Sequence, residues 1–156
     1  MAAESRQPKP PSSFRRWLFK TEPDAWSWDQ QAARGSKGEQ WDGVRNYQAR
    51  NHMQAMHKGD LGFFYHSGEE KRIVGIVAVL NEAHPDTTDP TGAWQCVDVA
   101  AVEALVKPVT LEQAKAEPRL ENMALVKNAR LSVQPVTAEE WELICRMGGI
   151  EPRKHT

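Results

Sequence analysis

The feature that most constrains this chain is the stretch Arg72 to Asn81, whose apolar core runs from Ile73 to Leu80. A second apolar stretch, Leu61 to Ser67, leads into it through the short polar turn Gly68-Glu69-Glu70-Lys71. Two such runs around a tight turn read as a pair of antiparallel strands. In the second strand both alternating faces are apolar: Ile73, Val77 and Val79 fall on one side, Val74, Ile76 and Leu80 on the other. A strand of this kind must be covered on both faces, inside a barrel or under helices. Gly75 in its middle permits a bend or a close backbone approach. The run is also far shorter than the roughly 20 apolar residues of a membrane helix, so no span is predicted.

The remaining elements arrange themselves around that pair. Arg16 to Lys20 reads as a first strand, ended by Pro23. Ser27-Trp28-Asp29-Gln30 has capping-box form and opens a short helix running to Gly35, followed by a Gly35–Gly38 loop. A second helix runs from Asn46 to a basic last turn and C-terminal glycine at Lys58-Gly59. Its Ala49, Met53 and Met56 recur at helical spacing and face the core, while Tyr47, Arg50, Asn51 and Gln54 form a polar stripe. His84 to Ala93 is a polar loop, and Trp94 to Val106 a strand long enough to bend or bulge. Thr110-Leu111-Glu112-Gln113 and Thr137-Ala138-Glu139-Glu140 are further capping boxes that open helices, with a last strand from Arg130 to Val136 between them. The order predicts an α+β domain whose strands curl into a small barrel with helices over its openings. A chain of 156 residues accommodates one such domain. Its expected extent is 15–150, between a disordered Pro-, Ser- and basic-rich tail at 1–14 and a short C-terminal tail at 151–156.

Charge and composition exclude several classes. The formal net charge of −1 is not the basic footprint of a protein that grips long stretches of nucleic acid. A nucleic-acid partner would have to be held through a local pocket and few phosphate contacts. Cys96 and Cys145 stand alone and far apart, and no apolar signal region is present. A reduced, cytoplasmic setting is therefore expected, with no membrane association. His52 and His57 are five apart and fall on different helix faces, and no spacing resembles a zinc or iron site. No glycine-rich phosphate loop is present either. Neither metal nor cofactor is expected, and a monomer is favoured.

The densest chemistry lies in Trp41-Asp42-Gly43-Val44-Arg45-Asn46-Tyr47-Gln48-Ala49-Arg50-Asn51, a loop-to-helix junction with two aromatics, two Arg and two Asn in eleven residues. Asn and Gln present donor and acceptor together, the pairing that reads a base edge. Arg stacks on rings or clasps phosphate. Trp41 is also one of six tryptophans, four of them within the first 41 residues, and Trp is the best flat surface for stacking a ring. Equally, Trp41 and Tyr47 could be plain core residues beside a solvated helix face. Tyr65-His66-Ser67 ends an apolar strand, a frequent ligand position, but neighbouring strand residues point to opposite faces, so His66 and Ser67 cannot pair directly as base and nucleophile. Lys20-Thr21-Glu22-Pro23 reads alone as a strand end with a turn, and Arg130-Leu131-Ser132-Val133 as the start of the last strand.

Taken together and in order, four strings resemble the EVE-domain family. They are Trp17-Leu18-Phe19-Lys20-Thr21-Glu22-Pro23, Trp41-x-Gly43-Val44-Arg45-Asn46-Tyr47-Gln48-Ala49-Arg50-Asn51, Phe64-Tyr65-His66-Ser67 and Arg130-Leu131-Ser132-Val133-x-Pro135-Val136. The resemblance covers about Arg15 to Ile150. It implies a PUA-like fold, a small curved β-barrel surrounded by helices, similar to the YTH domain that captures N6-methyladenine. It further implies a reader of modified bases in DNA or RNA, modified cytosine in DNA among them. By motif match the pocket would be lined by Lys20, Glu22 and Pro23, by Trp28, Trp41, Asn46 and Tyr47, by His66 and Ser67, and by Arg130, Leu131 and Ser132.

Two further readings stand beside the non-catalytic reader. One is a hydrolase acting on a modified nucleoside or related small molecule, with His66 as base and Glu22 or Asp42 as acid, which requires those groups within hydrogen-bond reach of one substrate. The other is an interaction module in which every aromatic is core.

Overall fold

The computed structural model describes residues 15–152. In chain order these form β1 (Arg16–Thr21), α1 (Trp28–Ala33), β2 (Glu39–Gln40), α2 (Tyr47–Ala55), β3 (Leu61–His66) and β4 (Arg72–Pro85), followed by β5 (Gln95–Thr110), α3 (Leu111–Ala116), α4 (Ala124–Lys127), β6 (Val133–Val136) and α5 (Ala138–Met147). The predicted tail at 1–14, and residues 153–156 of the predicted tail at 151–156, lie outside the described residues.

Local chemistry sets the helix starts. Ser27, Thr110 and Thr137 each accept a hydrogen bond from the backbone three residues on, and Gln30, Gln113 and Glu140 reach back, so all three capping boxes form. Asn46 caps α2 by accepting from the Ala49 backbone N–H. That helix ends at Ala55, earlier than its basic last turn suggests. The chain turns instead through His57, whose N–H donates to the buried Asp60 carboxylate, and Gly59, whose N–H donates to the Val79 carbonyl.

The six strands form one mixed sheet in the order β2-β5-β4-β3-β1-β6. β3, β4 and β5 form an antiparallel meander, β1 runs parallel to β3, and β6 runs antiparallel to β1. The sheet begins at β2 and ends at β6, so the predicted barrel is an open sheet whose long strands bend at bulges. One bulge corrects the predicted alternation of β4. Tyr65 pairs with Ile73 and Phe64 with Gly75, leaving Val74 as the extra residue. Ile73 therefore lies on the same face as Ile76, and Val74 on the same face as Val77 and Val79.

Both faces of the sheet are covered. On the back, Leu18, Phe63, Ile73 and Ile76 pack under α3, α4 and α5 through Ala114, Leu125, Trp141 and Ile144. On the front, Trp17, Phe19, Phe64, Val77 and Val79 pack against Ala49 and Met53 of α2, with Trp28 of α1 at the margin. The ends of β1 and β2 and the loop before α2 meet at this front face, and there the packing opens.

Candidate functional site

A cavity of about 390 Å³ lies between the end of β1, the β2–α2 connection and the segment entering β6, and its walls include Lys20, Trp26, Gln40, Trp41, Asp42, Val44, Arg45 and Ser132. Backbone pairing places these residues. The Trp41 N–H donates to the Val97 carbonyl at 2.8 Å, extending the β2–β5 ladder by one residue. The Lys20 N–H donates to the Ser132 carbonyl at 2.9 Å, carrying the β1–β6 ladder beyond the strand and bringing Ser132 to the wall. Trp41 is only 6% exposed, with its ring edge-on to Phe19 at 5.2 Å and to Phe64 at 5.6 Å. The question left open by its sequence is thus answered both ways: the indole is core on one side and cavity wall on the other. Trp26 is fixed by its indole N–H, which donates to Gln31 Oε1 at 2.9 Å. The buried Gln31 amide in turn donates to the Val99 carbonyl.

Charge is distributed unevenly around the opening. Lys20 Nζ donates to the Ala129 carbonyl at 2.7 Å and stands 5.6 Å from the Tyr65 ring, and burial lowers its pKa. Partial burial and the nearby Asp86 carboxylate push the pKa of Asp42 upward. Asp86 is the hub of the rim. It accepts from the Gly43 N–H at 2.8 Å, from the Thr88 N–H at 2.7 Å and hydroxyl at 2.6 Å, and from Arg45 Nη1 at 3.1 Å. Burial alone would raise its pKa, but these bonds outweigh it and hold the carboxyl at about 2. Gly43, at φ +82°, supplies the left-handed turn that aims its N–H at Asp86. The β2–α2 connection and the Asp86–Trp94 loop are thereby locked together.

Of the twelve residues expected at a pocket, Lys20, Trp41 and Ser132 line this cavity. Leu131 is buried in the front core beside Trp41 and Val133. Arg130 is exposed and, with Leu131 and Ser132, precedes β6 rather than beginning it. Asn46 is occupied as the α2 cap. Trp28 packs edge-on to Phe64 at 5.3 Å, and its backbone N–H donates to His66 Nε2 at 3.0 Å. His66 Nδ1 faces Glu70 Oε1 at 2.8 Å, so Nδ1 carries the proton and both ring nitrogens are engaged within the protein. Glu22, Pro23 and Ser67 line a separate cleft of about 330 Å³ with Asp24, Glu69 and Glu70.

Tyr47 lies outside the cavity. It begins α2, is 66% exposed, and stacks on Trp94 with ring centroids 4.8 Å apart and planes 26° from parallel. The Arg50 guanidinium lies 4.9 Å from the Tyr47 ring and 5.4 Å from Trp94, and that of Arg45 lies 5.6 Å from Trp94. Trp26, Gln40, Asp86 and Trp94 were not singled out by the sequence. Their only signals were the count of tryptophans and the Asp86-x-Thr88 turn, neither of which points to a partner. Among the described residues no cluster of three or more His, Cys, Asp or Glu could hold a metal ion, and no helix is long and apolar enough to cross a membrane.

The EVE domain profile matches residues 15–147. Among solved structures, a protein from Agrobacterium tumefaciens is 53% identical, with a TM-score of 0.85 over 89% of this chain and 97% of that one. Human THYN1 protein, solved in complex with 5-methylcytosine-containing DNA, is 34% identical, with a TM-score of 0.80 over 88% of this chain and 99% of that one. The YTH domain of Zygosaccharomyces rouxii MRB1, solved with N6-methyladenosine RNA, matches 91% of this chain and 92% of that one. Its TM-score of 0.54 at 16% identity shows a shared, PUA-like fold.

Proposed function

This chain belongs to the EVE-domain family, and from that membership we propose that it is a non-catalytic module that holds a modified nucleobase of DNA or RNA in the cavity at Trp41. The observation that carries this reading is the cavity itself: an aromatic wall of Trp41 and Trp26 faces the polar groups of Gln40, Asp42 and Lys20. Its volume of about 390 Å³ falls within the range typical of small-ligand sites. That a human relative was solved with 5-methylcytosine-containing DNA supports the ligand class.

In this mechanism the base leaves its stack, at a cost of a few kcal/mol, and stacking on the indoles returns about 1–3 kcal/mol. The Asp42 carboxylate accepts from the amine at C4 of cytosine or C6 of adenine, the position where thymine and guanine carry a carbonyl. Lys20 and Arg130 meet phosphate, while Ser132 contributes a hydroxyl to the wall. Leu131, Trp28, His66 and Asn46 act from behind, fixing the elements that carry the wall. Glu22, Pro23 and Ser67 belong to the neighbouring acidic cleft and do not touch the base. Binding is favoured over turnover because His66 has both nitrogens engaged by Trp28 and Glu70.

The test is a titration of the full chain against matched DNA and RNA oligonucleotides carrying one modified or unmodified base. Selective binding of one modified base that survives moderate salt is expected. Trp41→Ala should abolish it. Because Trp41 also packs in the core, Asp42→Asn provides a surface control, expected to weaken binding about ten-fold through loss of a charge-assisted hydrogen bond. Failure of every oligonucleotide to bind overturns the reading.

A further inference from the structure

Tyr47 and Trp94 form an aromatic surface that the cavity does not use. A tyrosine 66% exposed at the start of a polar helix contributes little to the core, yet its ring is held parallel to Trp94 at 4.8 Å. Trp94 is fixed in turn, since its backbone N–H donates to Asp89 Oδ2 at 2.8 Å and the Asp89 carboxylate also accepts from Thr91. Part of the entropy of ordering these rings is therefore already lost before any partner arrives.

The adjoining cations differ. Arg45 is ion-paired with Asp86, whereas Arg50 donates to the Ala93 carbonyl and, among the described residues, has no carboxylate within ion-pair distance. Arg50 lies against both rings while keeping its charge available. Flat aromatic faces beside a guanidinium that has no carboxylate partner among the described residues complement a nucleotide, which offers a ring to stack and a phosphate to clasp. Arg45 both lines the cavity and lies against Trp94, so the two surfaces are continuous.

The geometry points to Tyr47 and Trp94 as a second binding platform, which stacks the nucleotide next to the base held in the cavity while Arg50 meets its phosphate. The proposal rests on the modified-base reading of the cavity and adds to it a contact with the flanking chain.

The experiment compares two probes, a DNA duplex containing 5-methylcytosine and the free nucleoside 5-methyl-2′-deoxycytidine. Nucleoside binding is followed through the indole proton resonances, which report millimolar affinities. Tyr47→Ala is expected to weaken duplex binding about ten-fold and to leave nucleoside binding unchanged, whereas Tyr47→Phe retains both. Arg50→Ala is expected to lower the salt dependence of duplex binding. Wild-type duplex affinity in Tyr47→Ala overturns the platform, as does an equal loss for both probes, which would mean that Tyr47 acts through the cavity. If Trp41→Ala and Asp42→Asn lose binding while Tyr47→Ala does not, the platform falls and the cavity reading stands. If the wild-type chain binds neither probe, both fall.

Discussion

The two faces of the sheet are built from similar residues and put them to different use. On the back, Trp141 of α5 is buried and stacks on Phe63 with ring centroids 4.0 Å apart, inside the core that α3, α4 and α5 cover. On the front, Trp41 and Trp26 stand at the margin of the packing with one side toward a cavity, and Tyr47 and Trp94 lie outside it. Aromatic content alone does not distinguish a core from a site. The difference lies in what closes the periphery: α3–α5 on the back, and on the front a loop pair held by one carboxylate, Asp86. Hydrophobic burial stabilises the back, whereas directed hydrogen bonds shape the front.

The sharpest way to break this comparison is to remove Trp141. Trp141→Ala should destabilise the protein by about 3–5 kcal/mol in chemical denaturation, while molecules still folded bind nucleic acid as before. A large loss of intrinsic affinity would mean that the faces are coupled. Gly75→Ala is the corresponding test of the front. A Cβ there would stand 2.5 Å from the Trp28 ring, and such overpacking costs about 1–3 kcal/mol. The near-ultraviolet signature of the Phe63–Trp141 pair should survive it.

A third test uses pH. The folded pKa of Asp86, about 2, lies below the ordinary value of 3.8. Its contribution is therefore complete above the ordinary value and is lost as pH falls from near 4 toward 2. Asp86→Asn should remove this part of the acid sensitivity, read from melting temperature against pH, and should loosen the cavity rim without disturbing the back. The smallest effect is expected at Tyr47. Tyr47→Ala should change stability by no more than about 0.5 kcal/mol, so a larger loss would show that the ring supports the fold.

The sequence is most legible at the helix starts, where the cause is local. The three capping boxes lie within four residues each, and all form. The doubly apolar strand announced a sheet covered on both sides. The sequence is not legible where tertiary partners decide, as at the end of α2, which stops at Ala55 short of its Lys58-Gly59 signal, and in the sheet. Ile73 changes face because β3 and β5 impose a bulge at Val74, which no alternation within β4 reveals. The segment Arg130–Ser132 has the pattern of a strand, but only its end meets β1, through the Ser132 carbonyl. The cavity shows the same division. Lys20, Trp41 and Ser132 are legible from strings that resemble a family, whereas Asp86 sits in a stretch that reads as an ordinary polar loop and Trp94 reads as the start of the strand after it. Nothing in that stretch indicates that it folds back onto the start of α2.

The pairing of β1 has a consequence for how the protein reaches its working state. β1 lies between β3 and β6, with Arg16 opposite both Leu61 and Val136, so a strand near the start of the domain is completed only by one near its end. Contacts of such long sequence separation close slowly, because the intervening chain must be ordered first. The cavity draws on Lys20 from β1 and Ser132 from the approach to β6, so it is complete only once that pairing has closed. A ligand held there binds only the finished molecule and stabilises the whole fold by mass action. A chain released before β6 has emerged would lack the Ser132 wall of the cavity and the α5 cover of the back face.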